Sequence, residues 1–395
     1  MVQQSVPFFP PELVELFLTT LVDGRGIATR DLRSCSLVSR SWAGAAQRYL
    51  FERVSVHAAA RVDNTARLLE TLKGNPRFVR YIRRLRIWVG KDADVQGLAS
   101  VCAFQFTHVE TVSFVGAGFF NSATAVRAMA PLLGLSTIRT VHVNHDAGYP
   151  ALQSNPSYFG QFWEQCSPSV KRLVLDIGGH AGTLEPTAVQ ERTVKLQSLV
   201  VDLQSYLPML HATLFDLSRL KHLSLLGIAY INPSLHFLPA WKSLTSLHIL
   251  FTFHAVFARD NLYFDLSLLP NLAHIHFVPT LDTQDGALDV PLDMLSTLGT
   301  QGTSSKLRTI VVEFMFFQDL VTEKLDKGLA RLVHRLREVQ GETARPLEIS
   351  LLAVPEVFVQ YEERLMETKQ TEFVTLRRMD RNDECTCTTA STIYA

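Results

Sequence analysis

The chain has 395 residues, 47% of them hydrophobic and 19% charged, with 38 Lys and Arg against 38 Asp and Glu. This composition excludes a disordered chain and supplies apolar material for one large core or for two domains. The balance is uneven: residues 1–90 hold 14 basic and 7 acidic side chains, but their arginines stand singly among apolar residues, as a solvated surface does and a nucleic-acid patch does not. No run of 18 apolar residues occurs and the first residues lack a basic leader, so no membrane partner is expected and a cytoplasmic or nuclear location is. Five cysteines, Cys35, Cys102, Cys166, Cys385 and Cys387, stand at unrelated spacings, which predicts reduced thiols and no metal or other cofactor.

The first predicted element is a helix over 11–22. Its polar residues are Glu12, Glu15, Thr19 and Thr20, and the first three form one narrow stripe that leaves the remaining faces apolar. Pro10 and Pro11 suit a first turn, where no backbone N–H is owed to an earlier carbonyl, and Asp23-Gly24-Arg25-Gly26 stops the helix. A second helix is expected to start at Thr29 or Asp31, and a third to be capped by Ser39 or Ser41. In the third, Trp42, Ala45, Ala46, Tyr49 and Leu50 make a full amphipathic stripe. Three helices in so short a stretch cannot enclose two apolar sides of the first helix together with Leu37, Val38 and Trp42, so part of that surface is expected to meet a partner.

Two motifs here carry a family likeness. Phe9-Pro10-Pro11-Glu12-Leu13 and Leu37-Val38-Ser39-Arg40-Ser41-Trp42 resemble the F-box, whose hallmarks are Leu-Pro-x-Glu-Leu and an LVS/C-x-x-W core; Phe9 stands in place of the usual Leu. The resemblance covers residues 7–53. It implies binding to the Skp-type adaptor of a cullin-RING ubiquitin ligase, and through the adaptor to a cullin. It assigns Pro10, Leu13, Leu37, Val38 and Trp42 as adaptor-facing or motif-core positions.

Beyond the F-box-like segment a pattern L-x-x-L-x-L recurs, with aliphatic substitutions. Copies start at Ile82, Val109, Ile138, Val170, Leu196, Leu220, Leu244, Leu272 and Leu307, 24 to 35 residues apart, near the period of leucine-rich repeats. An earlier copy is read at 51–56. The fourth and sixth positions share parity in a strand and are expected to point inward, while intervening segments return the chain, with helical spacing over 64–73, 124–133 and 208–217. The Asn that caps each turn of many such repeats is missing at the ninth position. Residues 318–339 read as an amphipathic helix, 347–354 as a strand and 356–369 as a closing helix.

The fold class is therefore expected to be α/β: a three-helix F-box over 1–53, then an irregular leucine-rich-repeat solenoid with a curved parallel sheet over 54–355. A C-terminal capping helix over 356–378 and a disordered tail over 379–395 follow. A β-helix and a doubly wound sheet stay open as alternatives.

No G-x-S-x-G, H-E-x-x-H, Walker A or kinase signature is present, so the protein is not expected to be an enzyme. Gly116-Ala117-Gly118 lacks a third glycine, and His142, His145 and Asp146 lack a fourth metal ligand. What remains is the face formed by positions three, five and seven of the copies, whose side chains align across strands. It is read either as a solvated sheet face or as a surface for a target protein, with Trp88, Asp176, Asp202, His248 and His276 as candidate contacts. The function expected is the substrate-recognition subunit of an SCF-type ubiquitin ligase, which binds a target protein. The alternative is a non-enzymatic scaffold whose F-box has no role in ubiquitin transfer.

Overall fold

A computed structural model describes residues 9–23, 29–58, 63–89, 95–116, 123–145, 156–177, 194–202, 215–228, 240–251, 265–281, 288–299, 306–316, 323–342, 348–353 and 374–378. The first three helices are α1 (Pro11–Asp23), α2 (Thr29–Cys35) and α3 (Arg40–Glu52). The carbonyl of Pro10 accepts from the N–H groups of Leu13 and Val14 and so opens α1. Ser39 caps α3, its hydroxyl accepting from the Trp42 N–H at 3.4 Å. A small core of Val14, Leu18, Leu32, Cys35 and Ala46 joins the three, with Leu21, Trp42, Tyr49 and Leu50 packed around it.

The nine repeat copies and the earlier one become parallel strands: β1 (Arg53–His57), β2 (Arg84–Trp88), β3 (Thr111–Val115), β4 (Thr140–His145), β5 (Arg172–Ile177), β7 (Ser198–Asp202), β9 (His222–Ile228), β10 (Ser246–Phe251), β11 (His274–Val278) and β13 (Thr309–Phe316). The sheet continues through β14 (Glu348–Ala353) and β15 (Val374–Arg378); β12 (Thr280–Leu281) pairs with β13, which makes 13 strands. Two short strands, β6 (Val194–Lys195) and β8 (Phe215–Asp216), form a separate parallel pair.

Register follows the repeat. Leu85, Val112, Val141, Leu173 and Leu199 face one another in turn, as do Ile87, Phe114, Val143, Leu175 and Val201. These fourth and sixth positions are buried in one large core, together with Val126, Met129, Leu132 and Leu133 of the helix Ala123–Leu133. Each copy also enters its strand through one backbone junction. The carbonyl of a second-position residue receives both the second and the third N–H of the next copy: Glu110 and Thr111 donate to Arg83 O at 2.8 and 3.0 Å, and Arg139 and Thr140 to Glu110 O at 2.8 and 3.0 Å. The pattern repeats as far as Arg308 and Thr309 on Ala273 O, at 2.8 and 3.1 Å.

Strand order along the main path never reverses relative to the chain, which removes the doubly wound alternative, since that fold turns back at a switch point. Other expectations need correction. The sheet is open and not curled; a steady bend needs the same wedge in every repeat, and crossovers of unequal length do not supply one. Over 208–217, residues 208–214 lie outside the described residues, and Phe215–Asp216 is strand β8 in place of the end of a helix. Residues 356–369 and 379–395 likewise lie outside them. Val374–Arg378, expected within a capping helix, pairs with β14 as the last strand, because β14 offers a free edge and Val-Thr-Leu has the alternation that an edge accepts. The helix Glu323–Glu342 supplies the amphipathic element expected near 318–339.

Candidate functional site

The helical unit carries the main open apolar surface. Val14 and Leu18, one turn apart on α1, point into the small core. Glu15, expected in a polar stripe, turns toward α3: it pairs with Arg48 and accepts from the Tyr49 hydroxyl at 2.6 Å. Thr19 Oγ1 lies 2.9 Å from the same hydroxyl. With α1 held by one apolar and one polar face, Leu13, Leu16 and Phe17 are left outside.

Among the described residues the exposed large hydrophobics are Phe9, Leu13, Leu16, Phe17, Leu37, Val38 and Leu268, and all but Leu268 belong to this unit. Leu13 is 49%, Leu37 86% and Val38 65% exposed. Phe9 and Phe17 both meet the Trp42 ring edge-on, at 5.9 and 5.5 Å between centroids. Trp42 sits in the first turn of α3, just past Leu37 and Val38. Of the five sequence-predicted positions, Pro10, Leu13, Leu37 and Val38 are exposed and Trp42 is half-buried between Phe9 and Phe17. Phe9, Leu16 and Phe17 extend the set; the signal for the last two was the i, i+3, i+4 spacing of Leu13, Leu16 and Phe17 on a helix face turned away from Val14 and Leu18, and for Phe9 its place at the head of the motif that ends at Leu13.

The second candidate surface differs more from expectation. Positions three, five and seven do align, yet the fifth-position column is not solvated in its first half: Ser113, His142, Val174 and Val200 are buried. At the seventh position Val115, Asn144, Val278 and Glu313 are buried too. Parallel sheets are normally covered on both faces, and near-continuous apolar strands such as Arg172–Ile177 say so in the sequence. Trp88 is half-buried, stacked on His57 at 5.7 Å with the Arg86 guanidinium 4.3 Å from its ring centroid. It lies on β2, six strands along the sheet from His248, so the two do not form one site. The side chains of Asp176, Asp202 and His145 lie outside the described residues, as do Asp146 and Ala117-Gly118. Gly116 has φ +116°, and a Cβ there would come within 2.3 Å of Val89 O, so this glycine serves a close backbone approach and no phosphate loop.

His248 and His276 do come together. Their rings are tilted with centroids 4.6 Å apart. His248 Nδ1 lies 2.7 Å from Ser224 Oγ, and His276 Nε2 lies 3.0 Å from Glu313 Oε2. A polar row therefore crosses β9, β10, β11 and β13. Glu313 is 1% exposed, so its carboxylate is tied to the neighbouring imidazole, the arrangement a buried acid requires. Burial first, and His276 second, push the His248 pKa down to about 3. Such an imidazole is neutral at pH 7 and too weak a base to activate Ser224. Ser224 and Glu313 were the members of this row that the sequence reading passed over, although both sit in the aligned columns.

No group of three or more His, Cys, Asp or Glu among the described residues could hold a metal ion, and none of their helices is long and apolar enough to cross a membrane. Cys35, Cys102 and Cys166 are buried free thiols, with burial pushing Cys102 up to about 12 and Cys166 upward as well. No protein-family model matches the chain, and no curated protein is similar to it.

Proposed function

We propose that this chain is the substrate-recognition subunit of an SCF-type ubiquitin ligase, its three helices acting as an F-box that binds the Skp-type adaptor. In that reading the strands after it form an irregular leucine-rich-repeat platform that holds a target protein. The observation that carries the proposal is the concentration of open apolar side chains around Leu13, Leu37, Val38 and Trp42. Fully burying three or four such side chains contributes roughly 1.5 to 3 kcal/mol each before association costs are subtracted. The mechanism is proximity: a target held beside a ubiquitin-charged enzyme sees a raised effective concentration, and this chain itself breaks no bond.

The test is capture by purified adaptor. Wild type is expected to be retained, Leu13→Asp to lose capture because a charge enters a dry interface at a cost of several kcal/mol, and Trp42→Ala to weaken it by removing the ring that Phe9 and Phe17 rest on. Leu13 is exposed, so its variant keeps the fold. Equal retention of all three, or no retention of wild type, would remove the proposal. The scaffold alternative separates at the next step, where it expects adaptor capture without ubiquitin transfer to a bound target in a reconstituted ligase.

A further inference from the structure

The entry rim of the sheet carries a row of exposed cations, of which Arg139 also donates to Ser169 O at 3.3 Å. The shared backbone junction brings the second and third residues of every copy to the same edge, strand after strand, about 4.8 Å apart. Arg84, Arg139, Lys171, Arg172, Lys221 and Arg308 occupy those positions and are all exposed; among the described residues none of the six forms an ion pair. Within the nine copies the one carboxylate at these positions is Glu110, and it is engaged by Arg83 at 2.9 Å.

Two further observations indicate a positive rim. Arg53 and Arg84 stand directly opposite each other in the β1–β2 ladder, a like-charge pairing that costs stability. His222, on the same rim, is held below its ordinary pKa by burial first and then by Lys221, Arg172 and His274, so the Lys221 and Arg172 cations both reach it.

We propose that this rim binds an acidic, extended segment of the target protein, laid across the strands from β2 to β13. The inference rests on reading the repeats as the target-holding part. Eight strand spacings make a track of about 38 Å, the length of roughly 11 residues of extended peptide. A peptide is favoured over nucleic acid because the chain as a whole carries no net charge, whereas nucleic-acid-binding domains are strongly basic.

The probe is a fluorescent 12-residue glutamate-rich peptide, with a glutamine-rich peptide of equal length and a single-stranded oligonucleotide of equal charge as comparisons, titrated against the full chain. Wild type is expected to bind the glutamate peptide, to ignore the glutamine one, and to lose affinity as salt rises. The double variant Lys171→Glu/Arg172→Glu is expected to weaken binding roughly tenfold. Arg139→Gln/Lys221→Gln, which keeps polar exposed side chains and disturbs folding least, should weaken it to a smaller extent. No binding by wild type, unchanged binding in both variants, or tighter binding of the oligonucleotide would overturn the proposal. Adaptor capture measured on the same samples keeps the two readings apart: its absence with peptide binding intact removes the ligase role and leaves the rim, and the reverse removes the rim alone.

Discussion

His142 lies in the fifth position of its copy, fully buried, with Nδ1 3.3 Å from Ser113 Oγ. Burial first, then Arg86 and Arg172, push its pKa down to about 4. The unfolded imidazole titrates near 6.5, so between the two values the unfolded chain binds a proton that the folded chain refuses. Stability is therefore complete above about pH 6.5 and is lost as pH falls toward 4. His248 acts with the same sign. By pH 5 the stability lost through His142 alone amounts to about 2 kcal/mol. Denaturant unfolding at pH 7.5 and pH 5 should show a smaller acid loss in His142→Gln than in wild type by about that amount, and equal losses would mean that the ring is solvated or charged in the folded chain.

At the scale of elements, the nine repeat strands were legible because burial at the fourth and sixth positions leaves a period-2 mark that no other element imitates. Phe114, at a sixth position, meets Phe162 of the helix Pro156–Glu164 edge-on at 5.5 Å, and the neighbouring Trp163 meets Phe215 of β8 at 5.2 Å. This aromatic chain ties the main sheet to the small β6–β8 pair, and nothing in the local pattern of Phe215 announced it: two-residue strands have no period to read. Likewise the turn of Glu15 toward Arg48 and Tyr49 depends on partners more than 30 residues away, beyond any helical spacing. The burial of the fifth-position column was missed for a related reason, since Ser113 and His142 look like surface residues until they bond each other. Phe162 is fully buried at the centre of this chain, so Phe162→Ala is expected to cost about 3 to 5 kcal/mol. Urea unfolding would measure it, and a loss below about 1 kcal/mol would mean that the helix repacks freely around the cavity.

The described residues form two cores, one of Val14, Leu18, Leu32, Cys35 and Ala46, the other running from Val54 to Val339. They meet where α3 ends at Glu52 and β1 begins at Arg53, with no linker between, and Phe51 stacks on Phe78 at 4.4 Å as a clamp from the last turn of α3 onto the sheet side. Among the described residues the two cores share no buried member, so the small one is expected to open separately from the large one. Leu18 is fully buried in the small core, and Leu18→Ala is expected to cost about 2 to 5 kcal/mol there. Hydrogen exchange should then accelerate over Pro11–Glu52 and stay unchanged over β3 to β11; acceleration in both regions would show one cooperative unit. If the helical unit binds an adaptor through its open face, saturating adaptor should restore the lost protection by RT ln(1 + [L]/Kd), because the bound partner completes the surface that the chain leaves uncovered. The same protein concentration without adaptor should restore none, which ties the exchange behaviour of one small core to the presence of a second molecule.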